Sequence, residues 1–583
     1  MFTIFFRLPR LTILIMMVIL IGGLGAMFSL GRQEDPSLIE RYGFVLTTLP
    51  GADAERMEAL VTEPLEAALM ELPEVDEVES VSRPGVSQVS LDIRDDLTEA
   101  EVDDAWTLIR QKVELARTKF PAGTNAPDIH RQYVGAATLV VGLVWEGEGD
   151  PPLAVMGRMA LNLQDRFQRL PGTELTDLYG VPAEEVRIVV DPEALSAAGL
   201  TVRQAASLIA SADSKTPAGR LRTDGGNIGL EVGGEFDNIS RIRSVPLLQR
   251  PDGTAVRVSD VATVQKGFED PPVRMALESG KRTIFVAAFI SEGQRVDKWA
   301  ETAHQVVRDF AVDTPPGLRI DTVFDQSTYT NARLNGLAKN LLMSACIVFV
   351  VLFFTMGWRS ALVVGSAIPL TVALVLILFK VFGNPLHQMS VTGLVISLGL
   401  LIDNAIVVVD DFDQMRARGA TRLQAIDKSL NHLFAPLAAS TLTTALAFAP
   451  IALLPGGAGE FIGMIGLSVV YSITASFVIS VTLIPAMAGW FDRTRGWEKG
   501  AHKRPRRWWR DGVSVDFISD GYRATIEAVL RFPPLGIVLA VAPAILGFYL
   551  VGQLPSQFFP QTERDQFQIT MQLPPEANLS DTI

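Results

Sequence analysis

Leu394-Val-Ile-Ser-Leu-Gly-Leu-Leu-Ile-Asp403-Asn404-Ala-Ile-Val-Val-Val409 places a single carboxylate inside an otherwise uncharged apolar run. No residue from Met389 to Ile402 is charged, and the next acids are Asp410 and Asp411. At about 1.5 Å rise per residue, a helix puts Asp403 roughly 20 Å from Met389, well inside a hydrocarbon layer about 30 Å thick. An ionised Asp at that depth costs about 2.5–3.5 kcal/mol on insertion scales. Such a group is kept where it faces a bundle interior and binds a proton, an ion or a partner charge. Polar glue between helices is the bland alternative, but Asn or Ser would serve that purpose without the charge penalty. The run therefore predicts a membrane-embedded helix that carries a proton- or cation-coupling group.

Composition agrees with a membrane protein. The chain has 583 residues, is 48% hydrophobic and has a mean hydropathy of +0.27, too apolar for an ordinary soluble enzyme. One cysteine, Cys346, excludes an internal disulfide and a thiolate metal cluster. The net charge of −14 argues against a nucleic-acid partner. Seven stretches are long and apolar enough to span, at about 11–30, 337–357, 360–382, 389–410, 433–454, 461–489 and 535–554. Between Asn340 and Leu400 the only formal charges are Arg359 and Lys380, and between Leu433 and Phe491 only Glu460. The first stretch has a basic start (Arg7, Arg10) and no small-residue cleavage site, so it reads as a retained anchor.

Arginine and lysine bias orients the spans. Arg7 and Arg10, Arg359, Arg416 to Lys428, and the Trp490–Arg531 segment fall on one face, which is the cytoplasmic one. The long insert, about 33–335, and the tail beyond the seventh span are then external. The reading by segment is a first span (1–32), a first external subdomain (33–134), and a second one split into 135–181 and 274–335. An insert with a hairpin occupies 182–273, spans two to six 336–490, a basic cytoplasmic loop 491–532, the seventh span 533–554, and a second external region begins at 555–583.

The two ends of the chain resemble each other without gaps at an offset of 524. Arg7, Pro9 and Leu11 match Arg531, Pro533 and Leu535; Gln33 and Pro36 match Gln557 and Pro560; Leu49-Pro50 matches Leu573-Pro574. Each copy reads basic residue, proline, apolar span, proline and alternating strand (Tyr42–Leu49; Phe567–Leu573). Direct repeats of this size are a transporter device. The chain thus reads as one half of a pseudosymmetric machine with the first step of the other half.

The external insert alternates strands and amphipathic helices. A strand at Tyr42–Leu49, a helix at Asp53–Met70 and a hairpin of Val75–Ser82 and Val86–Ile93 precede a helix at Thr98–Lys119, opened by a Thr98/Glu101 capping box. The same βαββα order recurs at Thr138–Trp145, Leu153–Gln168, Glu174–Tyr179, Val186–Val190 and a helix after Thr201. A third unit comprises Thr283–Ile290, Val296–Phe310 and Arg319–Phe324. These are split βαβ, ferredoxin-like units. Gly-rich Thr216–Gly234 is long enough for a projecting hairpin, and Thr494–Arg510, with Trp508 and Trp509, suits a headgroup-level loop. The fold class expected is a membrane helical bundle of seven spans with a large α+β insert.

At this point the sequence resembles the resistance–nodulation–division efflux permeases, inner-membrane pumps of Gram-negative bacteria. The resemblance rests on Leu49-Pro-Gly-Ala-Asp-Ala-Glu55, on Gly357-Trp-Arg-Ser-Ala-Leu362, and on Gly399-Leu-Leu-Ile-Asp403-Asn404-Ala-Ile-Val-Val-Val-Asp410-Asp411. It covers the chain as the N-terminal half of such a pump and implies proton antiport that exports drugs or other small hydrophobic or amphiphilic compounds. It also implies a homotrimer embedded in membrane lipid, with a periplasmic adaptor protein and an outer-membrane channel as partners, and no cofactor. Drug exporters of this family usually carry two adjacent Asp on the fourth span; here they are Asp403 and Asn404, which leaves one titrating carboxylate. By resemblance Tyr179 falls at a pocket phenylalanine and Ala137 at another pocket aromatic, which implies a different or wider pocket. The helix 103–119 matches the family's pore helix, and the family's relay lysine would lie beyond Ile583.

Gly280-Lys281-Arg282-Thr283 has a faint look of a phosphate loop, but Met275 stands where the upstream glycine is needed and the last residue is wrong; a hairpin turn is the better reading. The five histidines lack metal spacing, so no metal site is expected. Tyr179 taken alone reads as a packed sheet residue. Gly393 and Gly399 read as sites of close helix packing near Asp403, with a hinge as the lesser alternative. No ATPase motif is present, so the chain reads as a secondary transporter rather than an enzyme. Two other functions fit the same residues: a half-protein that transports only with a C-terminal half, and a heavy-metal cation exporter of the same superfamily.

Overall fold

The computed structural model describes residues 3–492 apart from 134, 214, 224–225, 234, 250–253, 270–271 and 273, together with 516–554, 567 and 569–571. The expected loop Thr494–Arg510 lies outside these residues. Residues 568, 572 and 573 of the expected strand Phe567–Leu573 lie outside them too, and its four described residues are not in a strand.

Helix α1 (Pro9–Ser29) has Pro at its first position, where the missing N–H costs nothing, and is apolar on every side. Beyond it the chain forms a four-stranded antiparallel sheet from β1 (Tyr42–Thr48), β2 (Val75–Arg83), β3 (Val86–Ile93) and β4 (Asp128–Arg131), in the order β2-β3-β1-β4. Alternation in β3 buries Val89, Leu91 and Ile93 against α2 (Glu99–Arg117), whose Val102, Trp106, Ile109 and Val113 form one apolar face. The Thr98 backbone N–H donates to Glu101 at 2.8 Å, so the expected helix start is present. Trp106 donates to the Glu40 carbonyl at 2.9 Å, which satisfies its indole in the core.

The second sheet begins with β5 (Leu139–Trp145), α3 (Leu153–Gln168) and β6 (Thr173–Tyr179). The chain then leaves it at Gly180, whose φ of +86° suits glycine. It forms β7 (Glu184–Val190), a hairpin of β8 (Lys215–Thr223) and β9 (Gly226–Gly233), the pair β10 (Pro246–Gln249) and β11 (Ala255–Arg257), and β12 (Ala262–Phe268), which pairs with β7. It returns through β13 (Ala276–Glu278), β14 (Lys281–Ile290), α4 (Val296–Val312) and β15 (Leu318–Asp325). The sheet order is β13-β14-β5-β15, with β6 also on β14. One sheet joins strands of the second and third units, which the unit-by-unit reading kept apart and the segment reading of 135–181 with 274–335 put together; β7, read as part of the second unit's βαββα order, pairs over seven residues with β12 rather than with the second sheet's strands. Ser279 (φ 51°) and Gly280 (φ 78°) make the two-residue β13–β14 turn, so Gly280–Thr283 is a hairpin, as read.

β15 runs directly into α5 (Gln326–Gly365), capped by Asp325, which accepts from Ser327 N–H at 2.8 Å. Then come α6 (Ala367–Val381), α7 (Gln388–Ala417), α8 (Arg422–Ala452), α9 (Gly456–Phe491), α10 (Asp516–Arg531) and α11 (Pro533–Val551). Among the described residues, five helical stretches can cross a membrane by length and composition, or six if the bent pair α10–α11 is one span. One of the five, Gln326–Val381, contains both the second and third expected stretches. A rod of that length would measure about 84 Å at 1.5 Å per residue. It is broken instead at Gly357, whose φ of 78° and ψ of 164° are not helical.

The bundle is held at the meeting of α7 and α9. A Cβ at Gly393 would lie 2.6 Å from Ser468 Cβ and 2.7 Å from the Ile465 carbonyl, so only glycine permits this approach. Ser468, Ser472, Ser476 and Ser480 recur every fourth residue and are fully buried, and the Ser476 hydroxyl donates to the Leu401 carbonyl. Gly399, by contrast, has nothing within 4 Å of its Cβ position.

Gly393→Leu should therefore force α7 from α9 and cost about 1–3 kcal/mol or more, as overpacking does, whereas Gly399→Leu should leave bundle stability nearly unchanged. Thermal aggregation of the two variants in detergent, read by fluorescence size-exclusion chromatography, checks the contrast; equal losses would contradict it.

Candidate functional site

The face of α7 that α9 does not cover is defined by Ile396, Gly399, Asp403, Val407 and Asp410, all exposed and spaced three or four apart. That spacing forms one stripe along a helix. The opposite face, including Leu394, Ser397, Leu398, Leu401, Ala405 and Val408, is buried in the bundle core. Asp403 thus lies at mid-helix on the open side, and among the described residues no hydrogen bond or ion pair reaches its carboxylate. Asn404 faces a different neighbour. It is nine-tenths buried, and its Nδ2 points to Thr441 Oγ1 of α8 at 3.5 Å, a long contact. The two adjacent positions therefore look to different surroundings, as successive helix residues about 100° apart must. Gly399 lies one turn before Asp403 on the open stripe, whereas Gly393 faces α9.

At the Ala417 end of α7, exposed Asp413 accepts from the Ser360 hydroxyl at 2.9 Å, and Arg416 forms a well-buried pair with Asp492 at 2.6 Å. These contacts tie α7 to α5 and to the end of α9. Asp410 accepts from Gln414 at 2.9 Å and is exposed.

The two sequence-derived pocket residues lie apart in the sheet domain. Tyr179 ends β6, is 47% exposed and sits opposite Phe285. Ala137 is half-buried just before Thr138, whose N–H donates to the Ala288 carbonyl at 2.8 Å. Tyr179 therefore sits at the middle of β14 and Ala137 near its Ile290 end, on the order of 13 Å apart along it at about 3.3 Å per residue. Near Ala137, Tyr133 meets Phe289 edge-on at 4.9 Å across the boundary between the sheets. Burial, with Glu174 and Glu40 nearby, pushes the Tyr133 hydroxyl up to about 12, and burial raises both carboxyls against the pull of Arg131.

Sequence reasoning missed the membrane–sheet contacts. Glu460 of α9 accepts from the Ile39 N–H at 2.8 Å and pairs with Arg41 at 2.6 Å. Its being the lone charge between Leu433 and Phe491 was the available signal. The serine ladder of α9 was legible too, as small residues at every fourth position.

The whole chain, residues 1–583, matches the model of the AcrB/AcrD/AcrF family. It is 24% identical over 488 residues to an uncharacterized transporter of Haemophilus influenzae, covering 83% of this chain and 46% of that protein. It is 23% identical over 564 residues to the multidrug resistance protein MdtC of Klebsiella pneumoniae strain 342, covering 96% of this chain and 54% of that protein. MdtC of a second Klebsiella pneumoniae strain is 22% identical over the same share. The chain spans about half the length of these curated relatives. With apolar helices joined to antiparallel sheets and the Asp403 helix at their centre, it belongs to the AcrB/AcrD/AcrF family of resistance–nodulation–division permeases.

Proposed function

We propose that this chain serves a proton-coupled efflux transporter that exports hydrophobic or amphiphilic small molecules across the bacterial inner membrane, with Asp403 as the proton carrier. The observation that carries the reading is a lone carboxylate at mid-helix on the uncovered stripe of α7, next to the tightly packed α7–α9 seam. Protonation is favoured when that face is closed in low dielectric and ionisation when it meets water or a cation. A cycle between the two states would shift α7 within the bundle and drive the sheet domains through alternating shapes. The name of the Klebsiella relatives, multidrug resistance protein, supports drug-like cargo.

In this reading the chain crosses the membrane seven times, with α5 and α6 as separate spans and α11 as the last. The sheets are periplasmic ferredoxin-like units: 33–134 forms one porter subdomain, 135–181 with 274–335 the other, and 182–273 a docking insert. The strand orders β2-β3-β1-β4 and β6-β14-β5-β15 support that assignment. Tyr179 and Ala137 line the substrate path between them. A homotrimer with a periplasmic adaptor and an outer-membrane channel completes the assembly. A second reading has its own support: among the described residues no helix covers the Asp403 stripe, as expected of a half-unit that transports only beside a C-terminal half.

Asp403→Asn keeps the side-chain size and removes the titration. Export by the full-length protein should fall to background while membrane abundance persists, as measured by dye efflux from proteoliposomes under an imposed pH gradient; undiminished export would remove Asp403 from the mechanism. Asn404→Asp should add a second, interacting acid and displace the pH–rate profile of export. An unchanged profile would mean that position 404 does not titrate in the cycle.

A further inference from the structure

The two sheet domains are fastened to two different membrane helices. The first is fastened to α9. Arg41, the residue before β1, pairs with Glu460 at 2.6 Å, with only 10% and 20% of the two side chains exposed. The Ile39 N–H donates to the other Glu460 oxygen at 2.8 Å, and Arg41 also donates to the Leu97 carbonyl at 3.0 Å. Asp95, in the loop after β3, lies against Gly456 at the start of α9.

The second domain is fastened to α7 through the residues that follow α1. Leu386 N–H donates to Gly31 O at 2.8 Å, Gln33 N–H to Leu386 O at 3.1 Å and Gln388 N–H to Glu34 O at 3.0 Å. This zips the strap onto the start of α7. Along its other edge, Arg32 N–H donates to Gln294 O at 3.0 Å and Val296 N–H to Arg32 O at 3.2 Å, which joins it to the start of α4. Gly31 is essential to the join, because a Cβ there would lie 2.1 Å from the Gly293 carbonyl. Asp297 locks the corner: burial works to raise its carboxyl, but hydrogen bonds from Arg295 and the charge of Arg32 outweigh this and hold it below the ordinary carboxylate range.

Between these anchors, α7 and α9 meet along the serine ladder. Ser476 bonds the Leu401 carbonyl, while the buried hydroxyl oxygens of Ser472 and Ser480, one turn to either side, have no partner among the described residues. The seam therefore offers equivalent donors in steps of one turn, the geometry of a helix that moves past its neighbour in a ratchet.

We propose that Arg41–Glu460 and the Gly31–Glu34 strap are transmission anchors, so that displacement of α7 along α9 becomes displacement of the second sheet domain against the first. Arg41 and Glu460 are positioning residues; neither touches the proton site. The inference rests on the reading that α7 moves with the protonation of Asp403.

The test uses the full-length protein in nanodiscs, in a Cys346→Ser background, with spin labels at Val81→Cys in the first domain and Val312→Cys in the second. Asp403→Asn imitates the protonated state. Pulsed electron paramagnetic resonance should show that Asp403→Asn displaces the interdomain distance by about 2 Å or more, the scale of helix shifts in switching proteins. Adding Glu460→Gln should reduce that displacement at least twofold, and the charge swap Arg41→Glu with Glu460→Arg should restore it. If Glu460→Gln does not accumulate, Arg41→Lys makes the same comparison, since lysine keeps the charge and loses the fork that reaches both Glu460 and Leu97. An equal displacement with and without the ion pair overturns the anchor. So does no displacement where Asp403→Asn abolishes export. Normal export by Asp403→Asn instead overturns the proton-carrier reading, and this inference with it.

Discussion

Backbone-to-backbone approach at Gly393 is the constraint from which the membrane part of this structure follows. Hydrophobic burial does little to join helices in lipid, where the tails are as apolar as leucine; close packing and interhelical hydrogen bonds must do it instead. Gly393 against Ser468 and Ile465, followed by the serine ladder of α9, supplies both. Once that seam is fixed, helical periodicity leaves no freedom in where Asp403 points. It must lie on the side away from α9, two turns beyond Ser397, and Asn404 must turn towards α8.

The apolar helices and the longer strands of the sheets were legible because their signals are local. Uncharged runs reveal a helix in lipid, and alternation with turn residues reveals β2 and β3. The helix Leu153–Gln168 appears with the bounds its periodicity predicts. Less legible was whatever depends on partners distant in sequence. β7 follows β6 at the spacing of a βαββα unit, but it lies within the 182–273 insert and its partner β12 is more than seventy residues on. Short β4, β10, β11 and β13 carry too few residues for a pattern.

The candidate site divides in the same way. Asp403 stood out because a charge in an apolar run is costly wherever it occurs. Glu460 carried the same signal and was passed over, since a charge close to the end of an apolar stretch reads as an interfacial group. Its meaning depends on Arg41 and Ile39, which are 419 and 421 positions away. The different surroundings of Asp403 and Asn404 are likewise invisible in a sequence that sets them side by side. Gly393 and Gly399 look alike in sequence, but one meets a neighbouring backbone and the other faces open space.

The direct passage from β15 into α5 sets a height. The apolar part of α5 begins near residue 337, whereas the helix begins at Gln326. The intervening turns form a stalk of about 16 Å at 1.5 Å per residue. The second sheet is therefore held away from the apolar part of α5 on a helical post, while the strap after α1 ties another of its corners to the start of α7. A body held on one stiff leg and one short tether has tilt about those two supports as its softest freedom, with rise and fall resisted by both.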